Sequence, residues 1–242
     1  MSHTKNTKKY IFWQSFFFIF IVLLAAYVLL QSPIFTISNI YVLGNNSLSS
    51  EDVIKVSGIV TGMNIFKADL KTADSKIKAI PVVKDEKTTR KFPHTVVIEI
   101  SERSPVALVL LEGHFVEVDA EGVYLRQGSA GATGLPVITG GQLLTSGPGK
   151  QVKGEEFEKA LKVVGQLPVE LRQNLSEINV SNDERVTLYT IDGTECKMGF
   201  AEDAGKKGNY IFQVLQELKE QGKKIEYVDF SIANSPVVKY RN

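Results

Sequence analysis

The run IFWQSFFFIFIVLLAAYVLL, Ile11 to Leu30, constrains this chain more than any other stretch. Only Gln14 and Ser15 in it are polar, and no Asp, Glu, Lys or Arg occurs between Lys9 and Glu51. An apolar helix of about 20 residues matches the roughly 30 Å hydrocarbon core of a bilayer. A cleavable signal peptide has a shorter apolar region, about 7–15 residues, closed by a small-residue cleavage site. Here Ala25-Ala26 sit inside the run, Tyr27-Val28-Leu29-Leu30 continue it, and Gln31-Ser32-Pro33-Ile34-Phe35 offers no Ala-x-Ala pattern. The expectation is one uncleaved membrane helix over 10–31, preceded by a tail over 1–9. Lys5, Lys8 and Lys9 precede the span and the next cation is Lys55. That asymmetry predicts a cytoplasmic N-terminus and an exported remainder. Tyr10 and Trp13 lie near the inner boundary and Tyr27 near the outer one, where interfacial aromatics belong.

Without the three tail lysines, 25 basic residues stand against 27 acidic ones, a net charge of −2 for the exported part. No basic footprint for nucleic acid is present. The single cysteine, Cys196, excludes an internal disulfide, so the exported part must be held by its hydrophobic cores. Cys196 reads as a small buried or edge hydrophobe in a hairpin.

Local signals past the span spell a small α+β unit over 34–103. Phe35 to Val42 reads as a strand and Gly44-Asn45-Asn46 as a turn. Ser49 with Asp52 forms a loose capping box for a helix ending at Gly58. Asp69 caps a second helix that must stop near Pro81. Val82 to Arg90 and Thr95 to Glu102 read as strands around a Lys91-Phe92-Pro93-His94 turn. The order is β-α-α-β-β.

From Arg103 the texture changes to a β-rich unit with two helices, over 104–240. Strands are expected in VALVLL and in HFVEVDAEGVYL, the latter a hairpin around Asp119–Gly122. Residues 127–150 read as loop containing a short strand at Leu135–Ile138. A helix from Glu155 to Leu167 places Phe157, Leu161 and Val164 on one stripe. Strands follow at Ile178–Val180, Val186–Ile191 and Glu195–Met198. A longer helix from Ala204 to Gln221 stacks Ile211, Val214, Leu215 and Leu218. The last strand is read over Tyr227 to Tyr240. Its alternation favours one buried face, and Pro236 and its terminal position favour a sheet edge.

No residue set for catalysis is evident. His94 and His114 sit in turns, and no His pair or second Cys has metal-ligand spacing. Nucleophile-elbow, Walker and penicillin-recognising motifs are absent, and the glycine clusters lack a strand–helix context. Glu117/Asp119 and Asp119/Glu121 read as turn chemistry, and Glu102-Arg103 as an ordinary charge pair. The expectation is a non-enzymatic binding module without cofactor or metal.

Several segments, in order, resemble the FtsQ/DivIB family of bacterial cell-division proteins. FTISNIYVLGNNSLSSEDVIKVSGIVTGMNIFKADL is similar to the start of the family's POTRA module, and IPVVKDEKTTRKFPHTVVIEISERSPVALV to the rest of it. FVEVDAEGVYL, LPVITG and IEYVDFSIANSPVVK resemble segments of its β-domain. The resemblance implies a single-pass type II protein of the cell membrane, located at the division septum. It implies partners: FtsB/DivIC-like and FtsL-like single-span proteins and, through them, septal peptidoglycan synthases. It places the partner beside the last strand, as strand addition. The implied site residues are Tyr227, Phe230, Ser231, Ile232, Asn234, Val237, Val238 and Lys239, with pairing through 230–234 and 237–239 and an interruption at Pro236. The alternative class is a POTRA-bearing translocation or outer-membrane assembly factor, which would continue into a long series of amphipathic strands.

Overall fold

A computed structural model of the chain describes residues 4–131, 133–145, 147–181, 183–231 and 236–241. Two compact units emerge, one made of 1–79 and 83–102, the other of 80–82 and 103–242.

In the first unit, α1 (Thr4–Leu30) contains a 19-residue stretch, Phe12–Leu30, of mean hydropathy 2.3. At 1.5 Å per residue it is about 29 Å long, enough to cross a bilayer. Its large apolar side chains from Phe12 onward are exposed, so no protein core accounts for them. The helix stops before Pro33, and Pro33–Phe35 forms a single 3-10 turn.

Strand β1 (Asn39–Leu43) begins later than the sequence suggests. Residues 36–38 hydrogen-bond elsewhere: Ile37 N–H donates to Met63 O (2.8 Å) and Ser38 N–H to His94 O (2.9 Å). Helix α2 (Ser50–Ser57) starts where Ser49 Oγ accepts the Asp52 N–H, and it ends at Gly58 in the left-handed region, φ +73°. Helix α3 (Leu70–Lys78) is capped by Asp69, which accepts the Thr72 N–H. Strands β2 (Val83–Lys91) and β3 (Thr95–Glu102) complete a sheet of order β1-β3-β2, with β1 parallel and β2 antiparallel to β3. Val53, Ile65, Ala73, Ile77, Val96 and Ile98 are fully buried in this unit.

The expected Glu102–Arg103 charge pair does not form, because consecutive residues leaving a strand point apart. Glu102 accepts hydrogen bonds from Asn46, Ser47 and Leu48 in the turn between β1 and α2. Arg103 Nη1 reaches Asp119 (2.5 Å) and Glu121 (2.8 Å). Asp119 also accepts the N–H groups of Glu121 and Val123, which confirms it as turn chemistry.

The second unit opens with β4 (Pro105–Leu111), β5 (His114–Asp119), β6 (Tyr124–Gln127) and β7 (Val137–Thr139). Helices α4 (Glu155–Gln166) and α5 (Val169–Gln173) follow. Then come β8 (Leu175–Val180), β9 (Arg185–Thr190), β10 (Glu195–Phe200), α6 (Ala204–Glu220), β11 (Ile225–Asp229) and β12 (Val237–Tyr240). The strands make one nine-stranded sheet of order β12-β11-β10-β9-β8-β7-β4-β5-β6. Phe157, Val164, Leu171 and Ile211 from the helices join Val109, Ile138, Ile178, Leu188, Met198 and Val228 from the sheet in one core. The described residues of this unit form three helices where two were expected; the additional one, α5, is five residues long and too short for a periodicity signal.

The last strand is corrected most. Tyr227 to Tyr240 is not one strand but an antiparallel pair, β11 and β12, in which Tyr227 faces Lys239 and Val228 faces Val238. The chain leaves β11 because Asp229 Oδ1 accepts the Ser231 N–H (2.8 Å), a side-chain turn. Pro236 then lies just before β12, not within a ladder, so it interrupts no pairing.

Candidate partner-binding edge

The large sheet has two ends, and the chain treats them differently. At β6, Tyr124 N–H donates to Lys150 O (3.0 Å) and Tyr124 O accepts from Gly149 N–H (2.8 Å), so a loop covers the start of that edge. At the other end, β12 pairs with β11 alone among the described residues. Arg241 N–H donates inward to Lys224 O at 2.9 Å. Alternation along a regular strand then points the backbone groups of Val237 and Lys239 inward and those of Val238 and Tyr240 outward. Among the described residues, those two present N–H and C=O groups without a partner, in the geometry a further strand requires.

Val238 packs against the core, while Val237 and Tyr240 are exposed. Lys239 lies on the face opposite Val238, where its ammonium bonds Glu226 (2.8 Å) and stands 5.8 Å from the centre of the Tyr227 ring. The hydrogen bond to Glu226, then its charge, raises the Lys239 pKa, so the ammonium stays charged at neutral pH. Lys197 caps Tyr227 at 4.7 Å, and Lys223 lies 5.0 Å from the Tyr240 ring centre.

Register extends this face inward. Val137, Glu177, Tyr189, Glu195, Tyr227 and Lys239 are paired in succession across six strands. Partial burial, then the carboxylates of Glu195 and Glu177, raise the pKa of the Tyr189 phenol and keep it neutral. The edge is therefore flanked by a row of alternating carboxylates and tyrosines, closed by a lysine.

The structure brings together Tyr227, Val237, Val238 and Lys239. It separates Phe230, which is buried with its ring edge-on to Tyr210 (5.7 Å) and its N–H donated to Lys197 O (2.8 Å). A backbone already bonded to β10 has no donor left for a partner, so the expected pairing through Phe230 fails. Ser231 is exposed in the turn, its N–H used by Asp229. Ile232 and Asn234 lie outside the described residues. Sequence reading missed Tyr240, Tyr189 and Lys197. The alternation in RVTLYT and ECKM marks the latter two as lying opposite the core face.

Burial, then the charges of Asp192 and Glu195, push the Cys196 thiol up to about 12, which leaves no thiolate near neutrality. Among the described residues, no group of three His, Cys, Asp or Glu side chains is placed to hold a metal ion.

The model of the FtsQ-type POTRA domain matches residues 35–103, and that of the FtsQ/DivIB cell-division protein C-terminal region matches residues 107–231. The second alone covers more than half of the chain. The chain belongs to the FtsQ/DivIB family of cell-division proteins. The cell division protein FtsQ of Syntrophotalea carbinolica is 29% identical over 220 residues, 89% of this chain and 77% of that protein. FtsQ of a Geobacter strain is 30% identical over 200 residues, 79% and 71% of the two chains. DivIB of Clostridium botulinum is 27% identical over 225 residues, 91% and 88%. The solved extracytoplasmic domain of Geobacillus stearothermophilus DivIB aligns at 19% identity and a TM-score of 0.37, covering 50% of this chain and 97% of its own.

Proposed function

We propose that this FtsQ/DivIB-family chain is a non-enzymatic scaffold of the division machinery that captures another single-span division protein by strand addition to β12. The observation that carries the reading is the asymmetry of the nine-stranded sheet. One end is bonded at Tyr124 by the 149–150 loop, and the other offers the outward backbone groups of Val238 and Tyr240. Main-chain bonds supply affinity in this mode, and the side chains beside the edge set register. Val237, Lys239 and Tyr227 are those side chains. The partner is an FtsB/DivIC-like chain, joined by an FtsL-like one, and through them the scaffold reaches the septal peptidoglycan synthases. Helix α1 is the membrane span, with the N-terminus cytoplasmic as Lys5, Lys8 and Lys9 indicate.

The test uses co-purification of the full-length chain with FtsB/DivIC-like and FtsL-like proteins. Val238→Pro and Tyr240→Pro each delete one outward N–H and leave the inward ladder to β11 in place. Both variants are expected to keep their circular-dichroism spectrum and lose the partner. Full binding by both folded variants refutes the edge.

A further inference from the structure

Single exposed apolar residues need no explanation, but a contiguous exposed aromatic group does. One such group lies in the first unit. Phe35, Phe66 and Phe92 stack in a row, with ring centres 5.0 Å and 5.3 Å apart. Phe66 is 41% exposed and Phe92 59%, and Ile34 beside Phe35 is 57% exposed. The rings come from three separate segments, each firmly held. Ile65 N–H donates to Phe35 O at 2.8 Å. Arg90 Nε donates to Ile65 O (2.8 Å) and its Nη2 to Ala68 O (2.6 Å), which fastens the loop bearing Phe66 beside the strand leading to Phe92.

The position of this row identifies its occupant. Asn64 Nδ2 donates to the carbonyl of Leu30 (2.7 Å), the last residue of α1, and Asn64 Oδ1 accepts the Phe66 N–H (2.9 Å). The aromatic loop is therefore tied directly to the end of the apolar helix. Phe35, five residues beyond Leu30, lies at most about 18 Å of chain away. The charges agree: 31–38, 59–68 and 91–95 contain Lys67 and Lys91 but no Asp or Glu. Aromatic rings with adjacent lysines and no carboxylates suit the headgroup region of a bilayer.

We propose that Phe35, Phe66 and Phe92, with Ile34, form a membrane-docking patch that seats the first unit in the headgroup region of the bilayer crossed by α1. The proposal rests on α1 as a membrane span. It makes the Asn64–Leu30 bond a bracket between span and patch, and it limits how far the first unit swings from the membrane.

The test uses the full-length chain in nanodiscs of phosphatidylcholine and phosphatidylglycerol, with acyl chains either unlabelled or brominated just below the headgroups. Trp13, the only tryptophan, reports the span in the native chain. A second chain carries Trp13→Phe and Phe92→Trp, and a third carries Trp13→Phe and Phe66→Trp in case the second misfolds. The expected result is blue-shifted emission from the introduced indole and loss of intensity on bromination. Water-like, unquenched emission from the introduced indoles, with Trp13 quenched in the native chain, overturns the docking patch and leaves the span standing. If Trp13 also escapes quenching, the span fails and the patch fails with it.

Discussion

Replacing Glu102 by Gln is expected to destabilise the first unit in a pH-dependent way. Glu102 ends β3, and its carboxylate sits in a concavity of backbone donors. Its Oε1 accepts from the N–H groups of Asn46 (2.7 Å), Ser47 (3.1 Å) and Leu48 (3.1 Å). Its Oε2 accepts from Ser47 N–H (2.9 Å) and Ser47 Oγ–H (2.5 Å). Partial burial by itself raises the carboxyl pKa. The bonds from the Ser47 hydroxyl and the three backbone amides outweigh that effect and lower it from its ordinary 4.5 to about 2. The lowering converts to at most about 3.4 kcal/mol of stability. Because the group is half-exposed, solvent screening reduces the expected effect to about 1–2 kcal/mol. The folded-state pKa is depressed, so this stability is fully present above about pH 4.5 and is lost as pH falls through about 2. Glu102→Gln keeps the shape and one acceptor but turns an amide NH2 toward N–H donors. Urea unfolding of the full-length chain in detergent, at about pH 7, 5 and 3, reads the difference. The variant should be weaker at the two higher values, with the gap narrowing at the lowest. Equal stability of the two chains at about pH 7, or a gap that does not shrink on acidification, refutes the reasoning.

Three other predictions follow from packing. Cys196 should resist alkylation by iodoacetamide in the native chain and react fully in urea, because burial holds the thiol at about 12; rapid native labelling counts against the buried position. Gly140→Ala should cost at least about 2 kcal/mol in a thermal melt, since φ is +107° and a Cβ there would lie 2.0 Å from Val180 O. Lys239→Ala should change stability by less than about 0.5 kcal/mol, its Glu226 pair being exposed, yet slow partner association measured at low salt; an unchanged association rate removes Lys239 from the proposed interface.

Some of the fold was legible because its causes are local. Ser49 with Asp52, Asp69 with Thr72, and Gly58 act within one helical turn, and α2 and α3 start and end where those residues place them. The apolar run is longer still and carries its own signal. The proposed partner-binding edge was legible only in part. The alternation around Tyr227 and Val238 marks strands, but two strands joined by a turn and one strand with a break share that pattern. The position of Phe230 hid for the same reason, since its N–H is bonded to Lys197, far away in sequence.

The sequence by itself determined the apolar helix long enough to cross a membrane and the βααββ order, because periodicity, caps and charge are carried by neighbouring residues. Only the tertiary structure decided which strand ends the nine-stranded sheet with no further pairing among the described residues. That required the parallel pairings of β7 with β4 and β8 and of β10 with β11, together with the loop bonded to Tyr124 at the start of β6. It also decided that Glu102 and Arg103, adjacent in the chain, serve different turns. The physical reason is common to both: backbone and side-chain partners are chosen by proximity in space, and separation along the chain does not encode it.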